Sequence, residues 1–276
     1  MQIFTGTSGF SYPAWRGTFY PPKLPAAQML AHYAGRLRTV EINNTFYRMP
    51  KAEMLTGWAA TVPAGFRFAP KAPQQITHRQ KLAGSDDTVA FFWNAVGAFG
   101  DKLGPALFQL PPFLRKDLPR LVAFLELLPA GARAAFEFRH ASWFDDDVYA
   151  ALAARGAALC LAEADDLQTP IVATAPWAYL RLRRTEYDEA ALARWIDHLR
   201  ERASAWTEAY VYFKHEDAGI GPRLAARFED LWAATSGEPG VPPLLGAAGT
   251  EPVVDAVTDA VGDAEGKATP SGPRSV

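Results

Sequence analysis

Cysteine and long apolar runs are both scarce in this sequence. The chain of 276 residues has a single cysteine, Cys160, so an internal disulfide is excluded. There is no run of about 18 apolar residues that could span a membrane, and residues 1–10 lack the charged and apolar segments of a signal peptide. These absences predict a cytoplasmic protein that does not interact with a membrane.

The sequence also lacks a strong net charge and a glycine-rich phosphate-binding turn. The formal net charge is −2, and residues 241–276 hold five acidic residues against two basic ones. Such a balance argues against a whole-surface affinity for nucleic acid. The segment GTSGFS, residues 6–11, does not have the spacing of a dinucleotide-binding turn, which disfavours an open doubly wound sheet.

Short apolar strands alternate with helical patterns along most of the chain. The predicted strands start near residues 3, 39, 66, 106, 134, 157, 178 and 209. Eight such units predict an α/β fold, a TIM-type (β/α)8 barrel formed by a single domain of residues 1–235. The connection after the sixth strand contains Pro170 and Pro176 and is too broken for a full helix. Residues 236–276 have no aromatic residue and are rich in Gly, Pro, Ala and acids, which predicts a disordered tail.

Polar residues follow nearly every predicted strand. The segment RAAFEFRHASWF, residues 133–144, has a buried strand that delivers Glu137, Arg139 and His140 to one edge. The carboxyl ends of barrel strands meet at one mouth, where catalytic sites are found. The predicted catalytic residues are Glu41, Glu137, His140 and His215, and the predicted substrate-binding residues are Asn43, Lys71, His78, Gln109, Arg139, Trp143, Arg181 and Lys214.

Cations outnumber carboxylates among these strand-end residues. A mouth with net positive charge attracts an anion, and arginine offers bidentate geometry to phosphate or carboxylate. We therefore expect an enzyme that acts on a phosphorylated or otherwise anionic small ligand, such as a phosphodiester or a sugar phosphate. The expected roles are anion binding by Arg139, Arg181 and Lys214, general-base catalysis by Glu41 or Glu137, and proton transfer by His140 or His215.

Several alternatives stay open at this point. A non-catalytic module could present the same basic and aromatic mouth to nucleic acid or a nucleotide. Glu41 and Glu137 could instead serve a carbohydrate hydrolase, which needs two carboxylates about 5 to 10 Å apart, and an isomerase is a related option. Lys71 could form a Schiff base if it were desolvated beside other cations. A divalent metal remains an alternative as cofactor, although no two histidines show an i, i+4 spacing. The oligomeric state is not predicted.

Five segments of the chain match a known pattern. They are VEINNTFYRMP (residues 40–50), FRFAPKAPQQITH (66–78), LFQLPPF (107–113), FEFRHASWF (136–144) and AYVYFKHE (209–216). In this order they resemble the family called domain of unknown function 72, also described as YecE-like. The resemblance implies a TIM-like barrel of unassigned activity. By this likeness the mouth carries Glu41, Asn43, Lys71, His78, Gln109, Glu137, Arg139, His140, Lys214 and His215. A likeness of that family to endonuclease IV-type barrels implies nucleic-acid or phosphodiester substrates.

Overall fold

A computed structural model describes residues 1–214 and 219–236 of the chain. The strands are Gln2–Ser8 (β1), Thr39–Ile42 (β2), Arg67–Pro70 (β3), Ala106–Gln109 (β4), Ala134–Glu137 (β5), Ala158–Ala164 (β6), Leu167–Gln168 (β7), Trp177–Leu182 (β8) and Glu208–Phe213 (β9). The α-helices are Ala26–Ala34 (α1), Asn44–Tyr47 (α2), Ala52–Thr61 (α3), Asp86–Val96 (α4), Leu118–Glu126 (α5), Asp146–Ala154 (α6), Glu189–Glu201 (α7) and Ile220–Ser236 (α8). Helices thus alternate with strands along most of the chain, as the sequence predicts.

Eight strands form a nearly closed parallel barrel. Their order is β3-β2-β1-β9-β8-β6-β5-β4, and β7 pairs antiparallel with β6. The two ends of this order meet, because the amide of Ala72 donates a hydrogen bond of 2.8 Å to the carbonyl of Leu107 and Lys71 bridges to Leu107. The prediction of a TIM-type (β/α)8 barrel is confirmed.

Strand alternation separates the barrel interior from the helix-covered exterior. In β2, Val40 and Ile42 pack in the apolar layer under the helices. Thr39 and Glu41 point the other way, toward Tyr212 and Tyr179 inside the barrel. Successive side chains of a strand face opposite sides, so every second residue reaches the interior. This period of two decides which strand-end residues can meet one another.

The interior is packed rather than open below the mouth. It contains a cluster of buried rings and small side chains, including Phe4, Ala69, Cys160, Tyr179 and Tyr212. Cys160 is fully buried with a free thiol, so it is a core residue.

The connection from β6 to β8 lacks a helix, as the two prolines predict. In place of a helix, two buried threonine hydroxyl groups of this connection form hydrogen bonds with β6. Thr169 Oγ1 accepts a hydrogen bond from the amide of Ala162, and Thr174 Oγ1 accepts one from the amide of Leu159. These bonds satisfy two backbone amides of β6. The two-residue strand β7 is a feature that the sequence pattern does not predict.

Two predictions concern residues outside the described ranges. The predicted tail, residues 236–276, lies outside them apart from Ser236, which ends α8. His215, a predicted catalytic residue, also lies outside them. Within the described part of the chain, none of the helices combines the length and the apolar character needed to cross a bilayer.

Candidate functional site

The barrel mouth is centred on an arginine between two glutamates. Arg181 Nη2 donates a hydrogen bond of 2.8 Å to Glu41 Oε1, and Arg181 Nη1 donates one to Glu137 Oε2. The arginine side chain is 3% exposed and both glutamates are fully buried. Glu41 comes from β2, Glu137 ends β5 and Arg181 lies in β8, so this three-residue bridge links three separate strands across the barrel. We call it the Arg181 bridge.

Glu137 is surrounded by guanidinium groups. Besides Arg181, it accepts hydrogen bonds at Oε1 from Arg139 Nε (2.8 Å) and Arg183 Nη2 (3.0 Å). Burial alone would raise the pKa of Glu137, but Arg181, Arg183 and Arg139 together hold this pKa well below the usual range of a carboxyl group. Glu137 is therefore ionised at neutral pH and is a weak general base.

Glu41 has a second partner inside the barrel. The hydroxyl group of Tyr179 donates a hydrogen bond of 2.8 Å to Glu41 Oε2. Burial would raise the pKa of Glu41, but Arg181 and Lys71 lower it, with a net shift downward. Both carboxylates of the Arg181 bridge are thus fixed in the ionised state, and neither is free to accept a proton readily.

Lys71 extends from the end of β3 into the same mouth. Its Nζ donates a hydrogen bond of 2.8 Å to Gln109 Oε1 and lies 4.2 Å from the ring centroid of Phe46. Burial and the nearby Arg181 lower the pKa of this amine to about 8, against an opposing effect of Glu41 and Glu137. An appreciable neutral fraction is therefore present near physiological pH.

Two further arginines, which both pair with Glu137 of the Arg181 bridge, are partly exposed to solvent. The side chain of Arg139 is 25% exposed and that of Arg183 is 15% exposed. Lys214, just after β9, is exposed. With Lys71 and Arg181, the cations of the mouth outnumber its two buried carboxylates. The surplus positive charge lies on the solvent side, where an anion could reach it.

His78 lies beside this cluster on an irregular helical turn. The turn, Gln75–Arg79, has π-helical hydrogen bonding, which is frequent at functional sites. The His78 ring packs edge-on against Phe46, with centroids 5.0 Å apart, and its Nδ1 lies 2.9 Å from Thr77 Oγ1. Burial and the cations Lys71 and Arg139 lower the pKa of His78, so the imidazole is neutral at pH 7.

His140 has a structural contact at one ring nitrogen. Its Nδ1 accepts a hydrogen bond of 3.1 Å from the amide of Ser142 and caps the short helical turn Ala141–Trp143. In the neutral ring the proton is then on Nε2. His140 is thereby oriented at the carboxyl end of β5 as a hydrogen-bond donor.

Two predicted substrate-binding residues have a different environment from the one expected. Arg181 was expected to hold the anion, but both of its terminal nitrogens are bonded to buried glutamates. Trp143 is 1% exposed, stacks on Phe138 with centroids 4.7 Å apart, and donates from Nε1 to the carbonyl of Leu114. Arg181 therefore positions carboxylates, and Trp143 packs the loop after β5, because the terminal nitrogens of Arg181 and the indole nitrogen of Trp143 already donate to other groups of the protein.

The other predicted residues fall around the same mouth. Gln109 is buried against Lys71, and Asn43 is half-buried just before α2. Tyr179, the partner of Glu41, is not among the residues predicted from the sequence. The alternation of side chains along β8 could have indicated it, because Tyr179 precedes Arg181 by two residues and so faces the same side of the strand.

The described side chains give little support for a metal centre. Within residues 1–214 and 219–236, no three His, Cys, Asp or Glu side chains lie together as ligands for an ion. The two buried glutamates of the mouth, Glu41 and Glu137, are bridged by the guanidinium group of Arg181 instead.

Comparison with known proteins gives relatives whose names state no activity. The chain is 32% identical to the UPF0759 protein YecE of Escherichia coli (strain K12), over 52% of this chain and 50% of YecE. It is 26% identical to the UPF0759 protein YunF of Bacillus subtilis (strain 168), over 54% of each protein. The chain thus spans about half the length of the curated relatives it matches.

Two crystal structures match a larger part of the chain. A DUF72 family protein (TM1631) of Thermotoga maritima MSB8 is 25% identical, with a TM-score of 0.74 over 84% of this chain and 99% of that one. A DUF72 family protein (EF0366) of Enterococcus faecalis V583 is 17% identical, with a TM-score of 0.71 over 84% of this chain, and supports the fold alone. The family described as protein of unknown function DUF72 matches residues 4–245, and the chain therefore belongs to the DUF72 family.

Proposed function

We propose that this protein is an enzyme that acts on a phosphorylated or otherwise anionic substrate at the carboxyl-terminal mouth of the barrel. One observation carries the proposal: Arg139 and Arg183 hold their guanidinium groups at the solvent side of a mouth whose two carboxylates are buried and already paired. An anion that entered would meet cations that are oriented before it arrives, which lowers the cost of binding.

The geometry suggests separate roles for the arginines. Arg139 and Arg183 each use one nitrogen on Glu137 and have other nitrogens left for a phosphate or carboxylate group. Arg181 is a positioning residue, because it holds Glu137 in the orientation that in turn fixes Arg139 and Arg183. Lys214, which is exposed just after β9, would contribute further positive charge.

The general base is better assigned to an amine or an imidazole than to a carboxylate. The pKa values of Glu41 and Glu137 are both lowered, so these groups bind protons weakly at neutral pH. The pKa of Lys71 is lowered to about 8, close to the range in which a base works best at physiological pH. A partly buried amine of lowered pKa at the mouth favours catalysis over simple binding, because binding alone gains nothing from its desolvation.

A non-catalytic module for single-stranded nucleic acid or a nucleotide is the second candidate. It is favoured by exposed rings that follow β2 and β4. Tyr47 is 74% exposed and Phe113 is 66% exposed, and Lys81 Nζ lies 5.4 Å from the Phe113 ring centroid. Exposed aromatic residues beside cations are the usual means of stacking unpaired bases.

A carbohydrate hydrolase is less well supported than either. Glycoside cleavage by paired carboxyl groups needs one protonated carboxylic acid. Neither Glu41 nor Glu137 has a raised pKa, and both accept hydrogen bonds from Arg181.

Calorimetric titration with pyrophosphate and with sugar phosphates tests the anion site. We expect saturable binding that weakens with salt and falls at least about tenfold in the double variant Arg139→Gln, Arg183→Gln, since each lost charged hydrogen bond is worth about 1.5–3 kcal/mol. Arg194→Gln, an exposed arginine on α7, is the matched control. Absence of saturable binding, or an equal loss in the control, would contradict the proposal.

A turnover screen separates the two candidate functions. Phosphorylated metabolites and phosphodiesters are incubated with the protein, and their consumption is followed by mass spectrometry. Turnover that is lost in the double variant supports the enzyme. Tight binding of oligonucleotides of any sequence, dependent on Tyr47 and Phe113 and without consumption of any compound, favours the binding module instead.

A further inference from the structure

We infer that Lys71 is a nucleophile that forms an imine with the carbonyl carbon of an anionic aldehyde or ketone bound at the mouth. The inference rests on the proposed function, because Arg139 and Arg183 are needed to hold the anionic group of the same molecule. It adds the chemical class of the substrate, a carbonyl compound, and the covalent step.

The position of Lys71 places its amine where a substrate would meet it. The residue follows β3 by one position and has the same facing as Ala69, which lies in the interior cluster of the barrel. Thr45 Oγ1 donates a hydrogen bond of 2.6 Å to the carbonyl of Lys71 and holds the backbone there. The side chain is only partly buried, so its end is within reach of a bound molecule.

The immediate surroundings of Nζ are neutral and apolar on two sides. Its hydrogen-bond partner is the amide oxygen of Gln109, and the face of Phe46 covers it at 4.2 Å. Lys116 offers a contrast, because its Nζ lies 2.8 Å from Asp145 and 2.6 Å from Asp147. A lysine that is paired with carboxylates stays protonated, whereas one that is desolvated beside other cations is the type that forms Schiff bases.

The electrostatics of the mouth support the same reading. With a pKa of about 8, about one Lys71 side chain in ten is neutral at pH 7, against fewer than about one in a thousand for an ordinary lysine. The guanidinium groups of Arg181 and Arg139 contribute to this shift. The same arginine, Arg139, would therefore bind the anion and help to keep the amine unprotonated.

The covalent step balances without any oxidant or reductant. The lone pair of neutral Nζ attacks the carbonyl carbon, the C=O π electrons move to oxygen, and one proton passes from nitrogen to this oxygen through water to complete a carbinolamine. The C–O bond then breaks, water leaves with a further proton, and the nitrogen keeps one hydrogen and a positive charge as the iminium ion. The net change is amine plus carbonyl plus one proton, giving iminium plus one water.

Reductive trapping with pyridoxal 5′-phosphate tests the inference, because this probe is an aldehyde with a phosphate group. The full-length protein is treated with the probe and sodium borohydride, and the modified lysines are identified by peptide mass spectrometry. Exposed Lys23 is the internal reference for an ordinary lysine. We expect Lys71 to be labelled at least about tenfold faster than Lys23 at pH 7.5, with loss of the fast phase in Lys71→Met but not in Lys23→Met.

Two comparisons separate this inference from the proposed function. Fast labelling of Lys71 by both pyridoxal 5′-phosphate and unphosphorylated pyridoxal, unaffected by excess pyrophosphate, would support the reactive amine and contradict the anion site. Labelling of Lys71 no faster than Lys23, while pyrophosphate still binds by calorimetry, would overturn the imine and leave the anion site standing. Fast labelling that needs the phosphate group and is blocked by pyrophosphate supports both.

The pH dependence of labelling gives a second measurement on the folded wild-type protein. The rate at Lys71 should rise with pH and level off above about pH 9, where most of its amine is neutral, while the rate at Lys23 continues to rise toward pH 10. Parallel profiles for the two lysines would overturn the inference.

Discussion

The two ends of the barrel use arginine in opposite ways. At the amino-terminal end, guanidinium groups cover aromatic rings. Arg133 Cζ lies 4.8 Å from the ring centroid of Trp177 and 5.2 Å from that of Tyr210, while Arg38 and Arg67 lie over Phe4 at 5.4 and 5.9 Å. At the mouth, Arg181 is buried between two carboxylates instead.

The two arrangements differ in the free energy that is needed to remove their charges from water. The side chains of Arg133 and Glu208 are about one-third exposed, so their 2.7 Å ion pair closes the end of the barrel without full desolvation. The Arg181 bridge removes three charges from water, which commonly gains little over an apolar replacement. Barrels carry stability at the amino-terminal face and catalysis at the carboxyl-terminal face. The costly network therefore lies at the end where pre-oriented charge has a use.

Loss of Arg181 should have the largest effect on stability. Arg181→Met leaves Glu41 and Glu137 buried without their shared cation, and we expect the free energy of unfolding to fall by about 3–5 kcal/mol in urea titrations. Arg194→Met, at an exposed position on α7, should change it by less than about 0.5 kcal/mol. Adding Glu41→Gln and Glu137→Gln to Arg181→Met should restore part of the loss. A loss below about 1 kcal/mol for Arg181→Met would remove the contrast between the two ends.

The second-largest effect on stability is expected from acid, through the two buried glutamates of the mouth. The pKa of Glu137 and that of Glu41 are lower in the folded protein than in the unfolded chain. Their stabilisation is therefore complete above the unfolded value of about 4.5 and is lost as pH falls below it, with a slope of at most about 1.4 kcal/mol per pH unit for each group. Urea titrations between pH 6 and pH 3 should show a shallower slope for Glu137→Gln than for the wild type. Equal slopes would contradict the assignment.

Removal of the Lys71 charge should stabilise the protein at neutral pH. The pKa of Lys71 falls from 10.5 to about 8 on folding, so the unfolded chain binds more protons between these pH values and stability rises with pH across that window. At pH 7 the charged amine costs free energy, and Lys71→Met should be about 1–2 kcal/mol more stable, a figure reduced for its partial exposure. The gain should shrink toward pH 10. A less stable variant at pH 7 would contradict the desolvated amine.

The smallest effect is expected at the other end of the barrel. Arg133→Ala removes partly exposed contacts with Trp177, Tyr210 and Glu208, and should cost about 1 kcal/mol. Pyrophosphate binding, measured by calorimetry, should be unchanged. A fall in affinity comparable to that of the Arg139→Gln, Arg183→Gln variant would show that the two ends do not differ in function.

The sequence predicts the fold well because each unit carries its own local signals. Apolar strands, helix periodicity and the prolines after β6 act over short distances, so eight strands and the missing helix can be recognised. The strand β7 is only two residues long and follows directly from β6, and no apolar pattern marks it.

The sequence predicts which residues lie at the mouth, but it does not predict which of their side chains pair with each other. Strand ends indicate that Glu41, Glu137 and Arg181 lie at the mouth. They do not indicate that Arg181 is buried between the two glutamates while Arg183 reaches solvent, since the contact between Arg181 and Glu41 joins residues 140 positions apart. The pairing depends on the stagger of the strands around the barrel, which no local pattern encodes.

Anomalous diffraction from crystals soaked in tungstate tests the central claim most directly, because it shows which end of the barrel binds an oxyanion. The account predicts a tungstate ion at the mouth in contact with Arg139 and Arg183, absent from crystals of the Arg139→Gln, Arg183→Gln variant. Tungstate found only beside Arg38, Arg67 and Arg133 at the amino-terminal end, or no bound tungstate at either end, would contradict it.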